Sequence, residues 1–317
     1  MSLTSTNTED SDDLAQDQLI DRVMRRLRRV DEGGSTYKTY AKGLRAYDEW
    51  LSNQGLTAKT ATTLDIEDFI LSLKEQGYAP KSIETFHTGV RKGYTMAVEK
   101  FEILDESPCD DVNMDDLGVD ETKQDDYRHY ITNEEFEHMR ENCGEPYIQN
   151  RLILELLWQT GVRIGELRNI EVDNVDIENY RIRIWGKKTN EWRTVHYQPS
   201  LNRLMNIWIQ QERPLLRDSE YLFPSNRSER LSRDKIRQVV MNSAKEINEV
   251  VGHTRDGRER WRITPHSLRH GHAVHALSSG VNVRAVQKQL GHGSIETTMR
   301  YLQLLDDKVA EAYQAFD

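Results

Sequence analysis

Along these 317 residues the apolar side chains recur at helical spacing almost everywhere, and the period changes in one region only. Residues 180–185 (Tyr-Arg-Ile-Arg-Ile-Trp) alternate as a strand does, and so do residues 192–197. Gly186, Lys187, Lys188, Thr189 and Asn190 lie between them as a hairpin loop. Such a chain is mainly α with a small antiparallel β-sheet. In the N-terminal part, Leu19, Val23, Met24, Leu27 and Val30 keep helical spacing, and Gly33-Gly34 stops that helix. Ser35 or Thr36 is expected to cap the next, whose stripe is Tyr37, Tyr40, Leu44, Tyr47, Trp50 and Leu51. Asp65 opens a third helix with Ile66, Phe69, Ile70 and Leu73. Pro80, Ile83, Phe86, Val90 and Tyr94 mark a fourth. The aromatic stripe is expected to be core rather than a stacking platform. Later, Thr132-x-x-Glu135 has the form of a capping box, residues 148–159 form a buried helix, and further helices are expected at 200–211, 232–250, 265–279, 283–290 and from 294 onward.

Charge divides the chain. The net charge of −10 at first argues against a nucleic-acid partner, since phosphates call for a basic footprint. Yet residues 1–21 hold six acids and no base, and residues 102–126 hold eleven acids against the single Lys123. Those two stretches exceed the whole deficit, so the remainder is net basic, notably at 181–193 and 227–262. The expected layout is an acidic disordered tail at 1–17, a helical domain at 18–101, an acidic linker at 102–127 with Pro108 and Gly118, and a second domain at 128–317. With only the tail before the first helix, no additional N-terminal DNA-binding arm domain is expected. Arginine outnumbers lysine 29 to 14, a bias that suits a salt-rich cytoplasm. No apolar run approaches the roughly 18 residues that cross a bilayer, the polar N-terminus is unlike a signal peptide, and Cys109 and Cys143 form no disulfide framework or metal motif. A soluble protein of the cytoplasm, with no membrane partner, is the expectation.

Four features carry chemistry: Arg163 within Thr-Gly-Val-Arg-Ile-Gly-Glu166-Leu, the hairpin lysines, His266-Ser-Leu-Arg269-His270, and Leu290-Gly-His292 followed by Tyr301. Thr264 and Pro265 suit the N-cap and first position of a helix. His266 and Arg269 then share one face near its N-terminus, where free N–H groups favour an anion. Arg269 adds a planar fork matched to two phosphate oxygens. Asn282 caps a helix that Gly291 ends, which puts His292 at a loop corner, and Ser294 is expected to cap the helix bearing Tyr301. Taken singly, such residues are usually solvated or packed. The cluster His266, His270, His272 and His275 suggests zinc, but Ser267 stands where a zincin needs glutamate, and no metal or cofactor is expected.

Together, Arg163, Lys187, His266-x-x-Arg269, Leu-Gly-His292 and Tyr301 resemble the tyrosine recombinase (phage integrase) family in type and spacing. Tyr221-Leu-Phe-Pro resembles another segment of its catalytic domain. The N-terminal helices are similar to its SAM-like core-binding domain, through Ser35-Thr36-x-x-Thr39-Tyr40 and Trp50-Leu51. The resemblance implies that Tyr301 attacks a DNA phosphodiester to give a 3′-phosphotyrosyl link, while Arg163 and Arg269 neutralise the transition state. It further implies that His266 accepts the tyrosine proton, His292 hydrogen-bonds the phosphate and Lys187 protonates the departing 5′ oxygen. Here the hairpin departs from the family's Gly-Lys-Gly, so that Lys188 could stand in for Lys187. Glu166 is expected to orient an arginine.

The implied partners are double-stranded DNA with a partly palindromic attachment or recombination site and further copies of the chain, as a dimer and tetramer on DNA. Leu302, Leu305, Val309, Tyr313 and Phe316 form an amphipathic face that would link protomers. Two alternatives stand beside this function: a type IB topoisomerase-like relaxing activity with the same chemistry, and an architectural DNA-binding protein that keeps the fold without catalysis.

Overall fold

The computed structural model describes residues 18–31, 34–119, 129–186 and 190–314, with the side chains at 18, 35 and 307–314 excepted. The expected tail, the hairpin lysines Lys187 and Lys188, and the side chains of Val309, Tyr313 and Phe316 lie outside that set. The chain divides into two compact units, Met1–Gln124 and Asp125–Asp317.

The first unit is built from helices α1 (Gln18–Val30), α2 (Ser35–Gln54), α3 (Thr63–Glu75) and α4 (Pro80–Glu99). Caps fix where they start. At α3 the Asp65 carboxylate accepts the Thr62 N–H at 2.7 Å while the Thr62 hydroxyl accepts the Asp65 N–H, so Asp65 is the third helical residue and Thr62 the cap. At α2 the cap is Gly34, with Ser35 already helical. The aromatic stripe is core: Tyr47 is 1 % exposed, its ring meets Phe69 edge-on, and Trp50 packs against the same cluster. Helices α2 and α4 cross at Gly43 and Gly89. A Cβ at Gly43 would stand 2.6 Å from the Phe86 carbonyl oxygen, and one at Gly89 would stand 2.8 Å from that of Tyr40. Only glycine lets the two backbones come so near. The acidic stretch expected as a linker is partly folded onto this unit. Cys109 and Val119 are buried in its core, and Ile103, Leu104, Val112 and Leu117 pack against it. The acids stay in water while these scattered apolar residues supply the anchorage.

The second unit surrounds α6 (Tyr147–Thr160), preceded by α5 (Asn133–Glu141) and followed by the short α7 (Ile164–Leu167). Thr132 and Glu135 form the expected capping box. In α6, Leu152, Ile153, Leu154, Leu156 and Leu157 are all buried. The carboxylate of this helix, Glu155, is buried and is met by Arg140, Arg151 and Gln159 at 2.9–3.0 Å. A three-stranded antiparallel sheet follows, β1 (Val175–Asp176), β2 (Arg181–Gly186) and β3 (Glu191–His196), in that order, with Trp185 opposite Trp192. Next come α8 (Asn202–Ile207), a π-turn to Glu212, and α9 (Arg233–Ser243).

The helix expected over 232–250 is shorter than its pattern suggested. After α9 a two-stranded ribbon forms, β4 (Val250–His253) and β5 (Glu259–Trp261). The β-branched pair Val250-Val251 and the Asp256-Gly257 turn outweigh helical periodicity there. Helices α10 (Pro265–Ser278), α11 (Val283–Leu290) and α12 (Glu296–Gln314) complete the unit. Ala273, Val274, Leu277, Val286, Leu290 and Tyr301 form a separate small core, against which Leu302, Leu304 and Leu305 pack. Among the described residues no helix is long and apolar enough to cross a membrane.

Candidate active site

Helix α6 ends at Gly161, whose φ of +61° suits glycine and whose carbonyl becomes a ligand of Arg269. A Cβ there would stand 2.5 Å from Leu290 and 2.7 Å from the His272 ring, so the turn is fixed by packing as well as by backbone strain. Two residues on, Arg163 enters α7. The Glu166 carboxylate accepts its backbone N–H at 2.8 Å and a guanidinium N–H at 3.3 Å.

Glu166 does orient an arginine, and more than one. Arg193, on β3, donates to both of its oxygens at 2.9 Å. Burial works against the Glu166 charge, but the hydrogen bonds and charge of Arg193, then those of Arg163, hold the carboxyl below the usual carboxylate range. Arg193 Nε also donates to the Gln289 carbonyl at 3.3 Å, and the Gln289 amide clasps the His196 backbone from both sides, at 3.0 and 2.7 Å. The strands that carry the lysine hairpin are thereby tied to the end of α11, one turn before His292.

Arg269 is 2 % exposed. It projects from α10, which opens with Thr264 and Pro265; the Ser267 hydroxyl accepts the Thr264 N–H and donates to the Arg262 carbonyl. Its guanidinium donates to the carbonyls of Gly161 at 2.6 Å and Leu290 at 2.8 Å. Burial, then the like charge of Arg163, push its pKa down to about 9, which still leaves it charged at neutral pH. Glu166, Tyr301 and Arg193 also act on it, so these groups lie within electrostatic reach of its guanidinium.

The Asn282 side chain caps α11, and Gly291, in the left-handed region, ends it. His292 follows at the loop corner with its Nδ1 2.9 Å from the Thr298 hydroxyl and its ring parallel to that of Tyr301. Burial, then Arg269, Arg163 and Arg193, lower its pKa to about 3.

Tyr301 is 1 % exposed. Its hydroxyl meets His270, one turn further along α10 than the exposed His266, with Nδ1 2.7 Å from the phenol oxygen. The His266 and His270 rings meet edge-to-face at 4.2 Å. Burial, then His266 and Arg269, lower the His270 pKa to about 3, so it is neutral at pH 7.

Of the six residues singled out in the sequence, Arg163, His266, Arg269, His292 and Tyr301 come together, and Lys187 lies outside the described residues. The spacing argument passed over His270, Arg193 and Gln289. His270 had a local signal, since it follows His266 by four residues on one helical face. Among the described residues no three His, Cys, Asp or Glu side chains are placed to hold a metal ion.

Comparison with known proteins bears on the family of the chain. Residues 129–308 match the model of the phage integrase family, and residues 29–100 match that of the phage integrase N-terminal SAM-like domain. Tyrosine recombinase XerC of Corynebacterium glutamicum is 32 % identical over 169 residues, which cover 53 % of this chain but only 51 % of that one. Tyrosine recombinase XerD of Staphylococcus aureus strain Mu50 is 27 % identical over 311 residues, 94 % of this chain and 98 % of that one. In fold, the chain is similar to the XerH site-specific recombinase solved on palindromic difH substrate after cleavage. That match has a TM-score of 0.70 at 20 % identity, over 93 % of this chain and 84 % of that one. A lambda integrase fragment solved as a dimer on a core site matches with a TM-score of 0.63 at 17 % identity, over 88 % and 95 %. These matches leave the salt-rich cytoplasm resting on composition alone. With its catalytic unit and its helical unit each matched, this chain belongs to the phage integrase family of tyrosine recombinases, enzymes that cleave and rejoin DNA strands.

Proposed function

We propose that this chain is a site-specific DNA recombinase that acts in the cytoplasm on double-stranded DNA with a partly palindromic site, through a 3′-phosphotyrosyl intermediate at Tyr301. The observation that carries this reading is that Tyr301, Arg269, Arg163 and His292, from four separate segments, come within electrostatic or ring contact of one another. Arg163 and Arg269 neutralise the pentacoordinate phosphorus, where fixed positive charge acts without reorganisation. His266 and His292 hydrogen-bond the non-bridging oxygens. Lys187, or Lys188 beside it, protonates the 5′ oxygen. The chain pairs as a dimer on one site and as a tetramer across two.

The test starts from a random-sequence pool of nicked duplexes, from which covalent protein–DNA adducts are isolated. Wild-type protein is expected to yield adducts of a common sequence and Tyr301→Phe none. Two duplexes of that sequence should then exchange strands. Adducts on Tyr301→Phe would overturn the assignment. Plasmid relaxation without joining of separate duplexes would favour the topoisomerase-like activity, and binding without adducts an architectural role.

A further inference from the structure

We propose that His270 is a further catalytic residue of this chain, the group that takes the phenol proton of Tyr301. The proposal rests on the recombinase function above and adds a residue to it. Two histidines, His270 and His292, meet the Tyr301 side chain, and His266 meets His270. His292 stacks on the ring, 14° from parallel with centroids 6.4 Å apart, and its Nδ1 is engaged by the Thr298 hydroxyl. His266 is exposed and meets the His270 ring. His270 has Nδ1 2.7 Å from the phenol oxygen, within the reach of a general base.

Before substrate arrives the surroundings hold the ring neutral. The Tyr301 ring lies among Ala273, Val274, Leu277, Val286 and Leu290, so water does not compete for its hydroxyl. His266 and Arg269 from α10, His292, and His129 ahead of α5 are the charged or titratable groups that act on His270, and all of them favour its neutral form. A neutral ring in the accepting tautomer at Nδ1 leaves the phenol as donor. A phenol is a weak nucleophile at its free pKa of about 10 and needs such a partner.

In the step, the Tyr301 oxygen forms its bond to phosphorus as the phosphorus–5′ oxygen bond breaks. The phenol proton passes to His270 Nδ1, and the departing 5′ oxygen takes a proton from a hairpin lysine ammonium. Rejoining runs the same transfers backward. No oxidant, metal or co-reactant enters.

The experiment uses the full chain and a nicked duplex of the sequence selected above, with single-turnover cleavage as readout. His270→Gln keeps a hydrogen-bonding amide but cannot take a proton, and it is expected to slow cleavage about 100-fold. Replacing Tyr301 by 3-fluorotyrosine, whose phenol ionises more readily, should recover about tenfold of that loss in His270→Gln, and should recover none in His266→Ala. Cleavage by His270→Gln within twofold of wild type would overturn the proposal, as would loss without fluorotyrosine recovery, or recovery confined to His266→Ala. Tyr301→Phe runs alongside: adducts on that variant would refute the recombinase function itself, a different failure. Should His270→Gln not fold, 15N-histidine spectra decide. Tyr301→Phe must then shift the His270 Nδ1 resonance; a shift confined to His266 would overturn the proposal.

Discussion

In the helical unit two buried phenols satisfy one another within hydrocarbon. The Tyr47 and Tyr94 hydroxyls share a 2.9 Å hydrogen bond, and burial pushes both phenols up in pKa. In the catalytic unit the α10 region buries a guanidinium, an imidazole and a tyrosine together, with Arg269, His270 and Tyr301 all at most 4 % exposed. Side chains of similar size thus serve opposite ends. Around Phe69 they maximise contact, whereas around Arg269 they hold positive charge away from water, which costs stability and is retained where a transition-state charge must be met.

The contrast should break first under acid. His270, His272 and His292 have folded pKa values lowered to about 3, about 4 and about 3, in each case by burial first. The unfolded chain binds their protons near pH 6.5, so the stability they carry is complete above that pH and is lost as pH falls toward the folded values. For His270 the slope reaches about 1.4 kcal/mol per pH unit, with smaller additions from the two more exposed rings. The helical unit has His87 alone shifted this way. Hydrogen exchange between pH 7 and 4.5 should therefore show α10 opening before α3; the reverse order would refute the comparison.

Phe69→Ala attacks the other side. Removing a fully buried ring should destabilise the helical unit by about 3–5 kcal/mol, read as a lower denaturation midpoint with α3 exchange accelerated and α10 exchange unchanged. In the catalytic unit, Arg269→Met should instead be felt in chemistry, slowing adduct formation about 10²–10³-fold while duplex binding by the full chain persists. Glu166→Gln removes the carboxylate that binds Arg193 and Arg163, and should lower stability by about 1.5–3 kcal/mol. At wild-type Glu166 the same loss appears on acidification: its folded pKa is depressed, so its contribution is present above about pH 4.3 and vanishes as pH falls through the folded value. Tyr47→Phe is the smallest change, about 1 kcal/mol, measured by denaturant melting. A loss as large as that of Phe69→Ala would show that the polar pair, not hydrocarbon, holds the helical core.

Local pattern was enough for much of this protein. Helical spacing placed the four helices of the first unit, Thr132 and Glu135 announced their own cap, and the alternation at 180–185 and 192–197 found the main hairpin, because each of these depends on neighbours within one or two turns. The separations among Arg163, His266, Arg269, His292 and Tyr301 pointed to one site through family resemblance. Tertiary structure alone decided the rest. His270 reaches Tyr301 across 31 residues, Arg193 reaches Glu166 across 27, and Arg193 reaches Gln289 across 96. Such pairs leave no periodicity to read, since a hydrogen bond between distant segments depends only on where the packed core delivers its two ends. The anchoring of the acidic stretch by Cys109 and Val119 escaped notice for the same reason: a few apolar side chains spaced without period can settle on a core once that core exists.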